Sequence, residues 1–204
     1  MTAIDMNLGE AIALRRSVWR YQDRPVADGI VEKALNFAIL APSAHNAQPW
    51  RFVWVKEKGR RERLLLTMAE RFSQEMENDR VPAAQRQTRV NESLIRLGEP
   101  PVLLLACLTL APMDKYPDDF RNSCERVMAI QSVSAGIQNL LLALWGLGLA
   151  SRWYCAPLFC PDIVKQVLDL PQEYEPQAFI TSGYAASVPP CPPRKPLAEI
   201  LIPR

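Results

Sequence analysis

Between Pro42 and Pro49 the chain sets a hydroxyl (Ser43), an imidazole (His45) and two carboxamides (Asn46, Gln48) on one short stretch. The prolines fix the backbone on either side, so these polar groups share a restrained loop. A carboxamide both donates and accepts, which suits the edge of a heterocycle that presents both kinds of group. A polar turn between a helix and a strand has the same composition, and that reading stands beside the first. Arg15-Arg16-Ser17 is a second candidate. Two guanidiniums and a hydroxyl suit a phosphate, because Arg binds it bidentately and keeps its charge. Arg at a helix C-terminus also complements the helix dipole without any ligand. Arg194, in a proline-rich tail, could return to that phosphate or remain an ordinary solvated charge.

His45 is the single histidine. A His-rich zinc site is therefore excluded within one chain, and no Cys-x-x-Cys pair marks a structural metal, so no metal ligand set is expected. Any Ser-His-Asp or Cys-His catalysis would have to run through His45. It would need an activated nucleophile and an orienting carboxylate, and the sequence identifies neither. Gly146-Leu147-Gly148 begins like a dinucleotide-binding fingerprint but lacks the third glycine and ends a helix instead of following a strand. It reads as a helix C-terminus.

The elements that must position these residues are partly visible. Asn7-Leu8-Gly9-Glu10 has the spacing of a capping box opening a first helix. Asp28 is placed to cap a second helix, whose apolar stripe runs Ile30, Val31, Ala34, Leu35, Ala38, Ile39 before Pro42 stops it. Phe52–Val55 reads as a buried strand, apolar on both faces. Two amphipathic helices are expected over about 60–78 and 85–97, then an interior strand over Val102–Ala106 and a third strand over Gln177–Tyr184. Cys124 to Leu149 reads as one helix buried nearly all round. Its large stripe is Val127, Ile130, Val133, Ile137, Leu141, Leu144. A stripe of small or polar residues (Ser132, Ala135, Asn139, Ala143, Gly146) could face a partner subunit or the core of a monomer. Three strands among at least five helices make an α+β protein.

Composition narrows the function. With 24 basic and 22 acidic residues among 204, the net charge is +2, which excludes the basic excess of a nucleic-acid binder. The apolar run Val133–Ala150 is interrupted by Ser134, Gln138 and Asn139, so a buried helix is expected there and no membrane partner. Five scattered cysteines suggest free thiols in a reducing compartment, and a cytoplasmic protein is expected. The length fits a single domain over residues 1–204.

Taken in order, these segments resemble the FMN-dependent nitroreductase family. The resemblance is carried by Arg15-Arg16-Ser17, by the Ala-Pro-Ser-x-x-Asn-x-Gln-Pro-Trp loop from Ala41 to Trp50, by Ile137–Ala143, by Gly183-Tyr184 and by Arg194. A narrower similarity, to the nitroreductase-like C-terminal domain of the deazaflavin coenzyme gamma-glutamyl ligase, rests on Pro42–Trp50, Ala106–Thr109, Met113–Pro117 and Trp153–Pro161. The family implies a nitroreductase-like α+β fold, a central, mostly antiparallel sheet flanked by helices, in an intertwined homodimer with FMN at the subunit interface. By position Arg15, Arg16, Ser17 and Arg194 would hold the FMN phosphate. Ser43, Asn46 and Gln48 would come from the neighbouring subunit. Cys155, Ala156, Pro157 and Leu158 would meet the flavin near N5, where Pro157 has no N–H, leaving Ala156 or Leu158 as backbone donor. Where the family often has serine this chain has Ala44. Hydride would pass from NAD(P)H through flavin N5 to a small-molecule acceptor, nitroaromatic, quinone or enone-like, with no catalytic side chain required. The alternatives are a reductase of a dehydro precursor of the deazaflavin coenzyme, a flavin- or deazaflavin-binding protein with little turnover, and a hydrolase built on His45.

Overall fold

The computed structural model describes residues 6–204, so the first five residues of the expected domain lie outside it. Its centre is a four-stranded sheet, β1 (Trp50–Trp54), β2 (Val102–Leu108), β3 (Ala150–Tyr154) and β4 (Glu175–Gly183), in the order β1-β2-β4-β3 with every pair antiparallel. All seven residues of β2 are buried. Alternation divides them between two cores. Val102, Leu104, Ala106 and Leu108 pack with α2 (Asp28–Ala38) and α5 (Asp119–Gly146) on one face. Leu103, Leu105 and Cys107 pack with α3 (Lys58–Asn78), Leu97 at the end of α4 (Ala83–Gly98) and α6 (Pro161–Leu168) on the other. Such a strand needs both faces covered, which is why it reads as a continuous apolar run.

The short helix α1 (Leu8–Leu14) starts as its spacing predicts: the Glu10 N–H donates to Asn7 Oδ1 at 2.9 Å, and the Asn7 N–H donates to Glu10 Oε2 at 3.2 Å. Asp28 does not cap α2. It is the first helical residue, after an extended Ala27, and its carboxylate pairs with Lys56 instead. The strand expected over Phe52–Val55 begins earlier, at Trp50, and is an edge strand whose residues are mostly half-buried, because it pairs with β2 alone. One strand escapes the sequence reading altogether. β3, Ala-Ser-Arg-Trp-Tyr, follows the helix end at Gly146–Gly148 too closely and too irregularly to show a period.

Helix α5 starts five residues earlier than expected, at an Asp118 cap whose carboxylate accepts from the Arg121 N–H at 2.9 Å. Nor is it buried all round. The covered stripe is Ala129, Ser132, Val133, Gly136, Ile137, Leu140, Leu141 and Leu144, whereas Val127 is 52% exposed. The helix is long and apolar enough to cross a membrane, but 44% of its apolar window is buried on the sheet and α2. Of the small stripe, Ser132 is buried within the chain, while Asn139, Ala143 and Gly146 line an open hollow with Leu8, Ala11, Phe37 and Leu40. The last helix, α7 (Leu197–Ile200), follows the proline-rich tail, and Leu197, Ile200, Leu201 and Ile202 are all exposed.

Gly183, at the end of β4, is where a side chain would do most harm. A Cβ there would lie 2.7 and 2.8 Å from Pro101 Cγ and Cδ, and 3.1 Å from the Tyr21 ring. A proline ring cannot swing away. Tyr21 is itself pinned, donating from its hydroxyl to Val18 O at 2.7 Å. We expect Gly183→Ala to cost about 1–3 kcal/mol by overpacking, read as a lower denaturation midpoint with an unchanged slope.

Candidate functional site

At one edge of the sheet the charges of Arg16 and Arg194 lie near enough to act on Arg15. Arg15 caps α1, after which the chain runs extended and Ser17 bridges Ser151 of β3, with the Val18 N–H donating to Ser151 O at 3.1 Å. Arg16 Nη1 donates to Ala13 O at 2.7 Å and to Arg15 O at 2.9 Å, so part of its role is to satisfy the carbonyls at the end of α1. Arg15 has no such bond. Burial lowers its pKa first, and the neighbouring charges of Arg16 and Arg194 lower it further. Arg194 donates only to the carbonyls of Pro192 and Pro193, at 3.4 and 3.3 Å. Among the described residues no carboxylate pairs with any of the three. Converging like charges disfavour their own ionisation, and a bound anion reverses that penalty. Ser17 is exposed beside them.

The loop between the two prolines holds an unusual backbone. Ala44–Asn46 forms one 3-10 turn, and His45, Asn46 and Gln48 have φ of 54°, 53° and 51°. Non-glycine residues enter this left-handed region only where their surroundings hold them. Ser43 Oγ accepts from the Gln48 N–H at 3.1 Å, and the Ala44 N–H donates to Ser132 Oγ of α5 at 3.2 Å. Gln48 Nε2 lies 3.4 Å from Asn46 Oδ1. Ser43 thus builds the turn from within, whereas Asn46 and Gln48 present their carboxamides to solvent. The polar-turn reading describes Ser43, and the carboxamides of Asn46 and Gln48 stand exposed.

The sequence reading found no carboxylate for His45, and the structure supplies two. Nε2 is 3.4 Å from Glu125 Oε1 and 3.9 Å from Asp114 Oδ2. Glu125 lies 80 residues downstream, on α5, where no local spacing could have pointed to it. Among the described residues the groups paired with the His45 ring are both carboxylates, and the nearby Ser132 hydroxyl donates to Met128 O at 2.7 Å.

After β3 the chain makes a 3-10 turn, Ala156–Phe159. The Leu158 N–H donates to Cys155 O at 3.1 Å and is spent inside the turn. Pro157 is buried, and Cys155 and Leu158 are exposed. Ala156 and Phe159 also line a hollow of about 420 Å³ with Leu65, Met68, Phe72 and Leu97 of α3 and α4. The thiols divide by environment. Burial pushes Cys107 up to about 12 and raises Cys160, whereas Cys124, Cys155 and Cys191 are exposed. Because the thiolate is the reactive species, a maleimide should label Cys124, Cys155 and Cys191 in the native protein and reach Cys107 and Cys160 only after denaturation, a pattern that peptide mass mapping reads directly.

One chain does not bring all of these parts together. Trp50, just after the loop, pairs with Leu108 and hence lies at the Glu175 end of the sheet, on the β1 edge. Ser17 lies at the Ser182 end, beyond β3 on the opposite edge. Four strand spacings across and seven residues along put the two on the order of 25–30 Å apart. The turn after β3 shares the edge of Ser17. The arginines and this turn belong to one side, and the loop to the other.

Comparison with known proteins gives a consistent result. The model of the Nitroreductase family matches residues 12–184. A protein of Archaeoglobus fulgidus, provisionally named NADH dehydrogenase/NAD(P)H nitroreductase, is 32% identical over 142 residues, which is 70% of this chain and 63% of that one, a little under two thirds of its length. A BluB-like flavoprotein from Clostridium difficile superimposes with a TM-score of 0.78 at 25% identity, covering 97% of this chain and 98% of that one. A provisionally assigned nitroreductase from Desulfovibrio desulfuricans, solved in complex with FMN, gives 0.72 at 25% identity, covering 98% of both chains.

Proposed function

The chain belongs to the nitroreductase family, and from that premise we propose that two copies form a dimer that binds FMN and transfers electrons from NAD(P)H to a nitroaromatic, quinone or enone-like acceptor. The observation that carries this reading is the cluster of Arg15, Arg16 and Arg194, three cations with no carboxylate partner among the described residues. Their chemistry fits the phosphate of a flavin mononucleotide. The FMN-bound relative and the NAD(P)H in the name of the Archaeoglobus protein support the choice of cofactor and donor.

In this reading Arg15, Arg16, Ser17 and Arg194 hold the phosphate. Ala156 offers its N–H to the ring within the turn Cys155-Ala156-Pro157-Leu158, and Asn46 and Gln48 reach in from the partner, on the loop that Ser43 shapes. FMN, when bound, supplies the centre that accepts and returns hydride. The protein orients that centre and excludes water from it. The apolar hollow beside Ala156 suits a flat, largely apolar acceptor.

A dimer also explains the exposed surface. One protomer exposes 12485 Å², against about 9,600 Å² for a compact monomer of 23.0 kDa. Leu8, Ile12, Phe37 and Leu40 beside α5, and the Leu197–Ile202 tail, are apolar side chains waiting for a cover. A dehydro precursor of the deazaflavin coenzyme would be one enone-like acceptor. Part of the pattern that pointed to it, Ala106-Cys107-Leu108-Thr109, is buried core.

The test is a visible spectrum of the purified protein, before and after anaerobic NADPH or NADH. Flavin bands that bleach, and return when a quinone is added, support a reductase. Bands that persist with both nicotinamides leave a binding protein with little turnover. Absence of flavin, with no uptake of added FMN, overturns the reading.

A further inference from the structure

His45, Asp114 and Glu125 converge from three parts of the chain: the Ala44–Asn46 turn, the segment after β2 and the second turn of α5. Their nearest ligand atoms all lie within 4.8 Å of one another. The Glu125 side chain is only 5% exposed, and its Oε2 has no hydrogen-bond partner. The arginines flanking it are committed elsewhere, Arg121 to Asp118 and Arg126 to Glu175. A buried carboxylate with no cation against it is a costly arrangement. His45 offsets that only when protonated, and even then it faces a second carboxylate, Asp114.

We propose that His45, Asp114 and Glu125 bind a divalent transition-metal ion, Zn²⁺ fitting best. One imidazole nitrogen and two carboxylate oxygens are a donor set that such ions accept. Two ligands held about 2.1 Å from a tetrahedral zinc are about 3.4 Å apart. His45 Nε2 and Glu125 Oε1 already stand at 3.4 Å, and Asp114, 3.9 Å from His45 Nε2 and within 4.8 Å of Glu125, must move inward on its exposed segment to complete the set. The side chains of His45 and Asp114 are 45% and 59% exposed, so the solvent side stays open for a fourth ligand such as water. Counting only histidines and cysteines in the sequence misses this set, because two of its three members are carboxylates. The ion would fasten the left-handed turn to α5, and thereby hold the neighbouring carboxamides of Asn46 and Gln48.

The experiment uses the whole protein, as purified and then treated with a chelator, titrated with Co²⁺ and followed at wavelengths beyond flavin absorption. One Co²⁺ per chain is expected, with the strong visible bands of a four- or five-coordinate site, displaced by Zn²⁺ and accompanied by a higher melting temperature. His45→Ala, its fold checked by circular dichroism, should weaken binding at least about tenfold, and Asp114→Asn similarly. Glu125→Gln, isosteric in its buried site, should do the same if circular dichroism shows it folded. Equal uptake by wild type and His45→Ala would assign the metal to exposed thiols such as Cys124 and overturn the proposal. So would no uptake at all. Neither readout depends on whether FMN binds.

Discussion

Replacing Arg15 and Arg16 together by alanine should leave a folded protein that no longer retains FMN. Each guanidinium removes a charge-assisted contact worth about 1.5–3 kcal/mol, and every 1.4 kcal/mol is tenfold in affinity. The pair should therefore weaken FMN by about a hundredfold or more. The fold has opposing reasons to survive. Arg16 gives up two hydrogen bonds to the carbonyls of Ala13 and Arg15, a loss of about 1 kcal/mol at the end of a seven-residue helix. Arg15 sits half-buried beside Arg16 and Arg194, so its removal relieves repulsion. Flavin fluorescence on dilution reads the affinity, and the melting curve of the flavin-free protein reads the fold. A double variant that kept its FMN would remove these arginines from the phosphate site. One that lost FMN only because it melted at room temperature would show the arginines to be structural.

The parts of this site differ in how legible they were, for physical reasons. Local devices could be read directly. The Asn7–Glu10 capping box is formed by residues three apart, and it forms as the spacing predicts. The all-apolar β2 could be read because a doubly covered strand has no polar face. Properties that depend on distant neighbours could not. That α5 is apolar is plain from its composition, but which stripe is covered depends on where α2 and the sheet lie, so Val127 is exposed where burial is expected and Ser132 takes the core side of the two that its stripe leaves open. β3 was missed because its place is set by pairing with β4. Likewise Asp28 has the right residue type for a cap and a better partner in Lys56. The site itself shows both cases. Arg15-Arg16 is visible as a motif, but the nearness of Arg194 and the want of a carboxylate partner among the described residues come from the fold. Ser43 and Asn46 look alike as polar loop residues. The structure separates them, one spent on the turn and the other open to a ligand.

The distance between the arginines and the loop yields the sharpest test of the dimer, because two defective proteins should repair each other. Take the Arg15→Ala/Arg16→Ala variant, whose loop is intact, and an Asn46→Ala/Gln48→Ala variant, whose arginines are intact. If each FMN site draws its arginines from one protomer and its loop from the other, a mixed dimer holds one site with both defects and one with neither. Co-refolding equal amounts should give a random assortment in which half of the dimers are mixed. Tight binding should then return at roughly one FMN for every four chains, although neither parent binds tightly alone. A site built within one chain cannot behave this way, since every copy of it would carry a lesion whatever its partner. The roughly 25–30 Å across the sheet, from Ser17 beyond β3 to Trp50 on β1, argues against that one-chain site. Failure to recover any tight binding, with mixed dimers shown to form by differently tagged chains, would put the whole flavin contact on one protomer. The loop would then be a turn that fastens α5 to β1, through the Ala44 N–H on Ser132 and the His45 ring against Glu125.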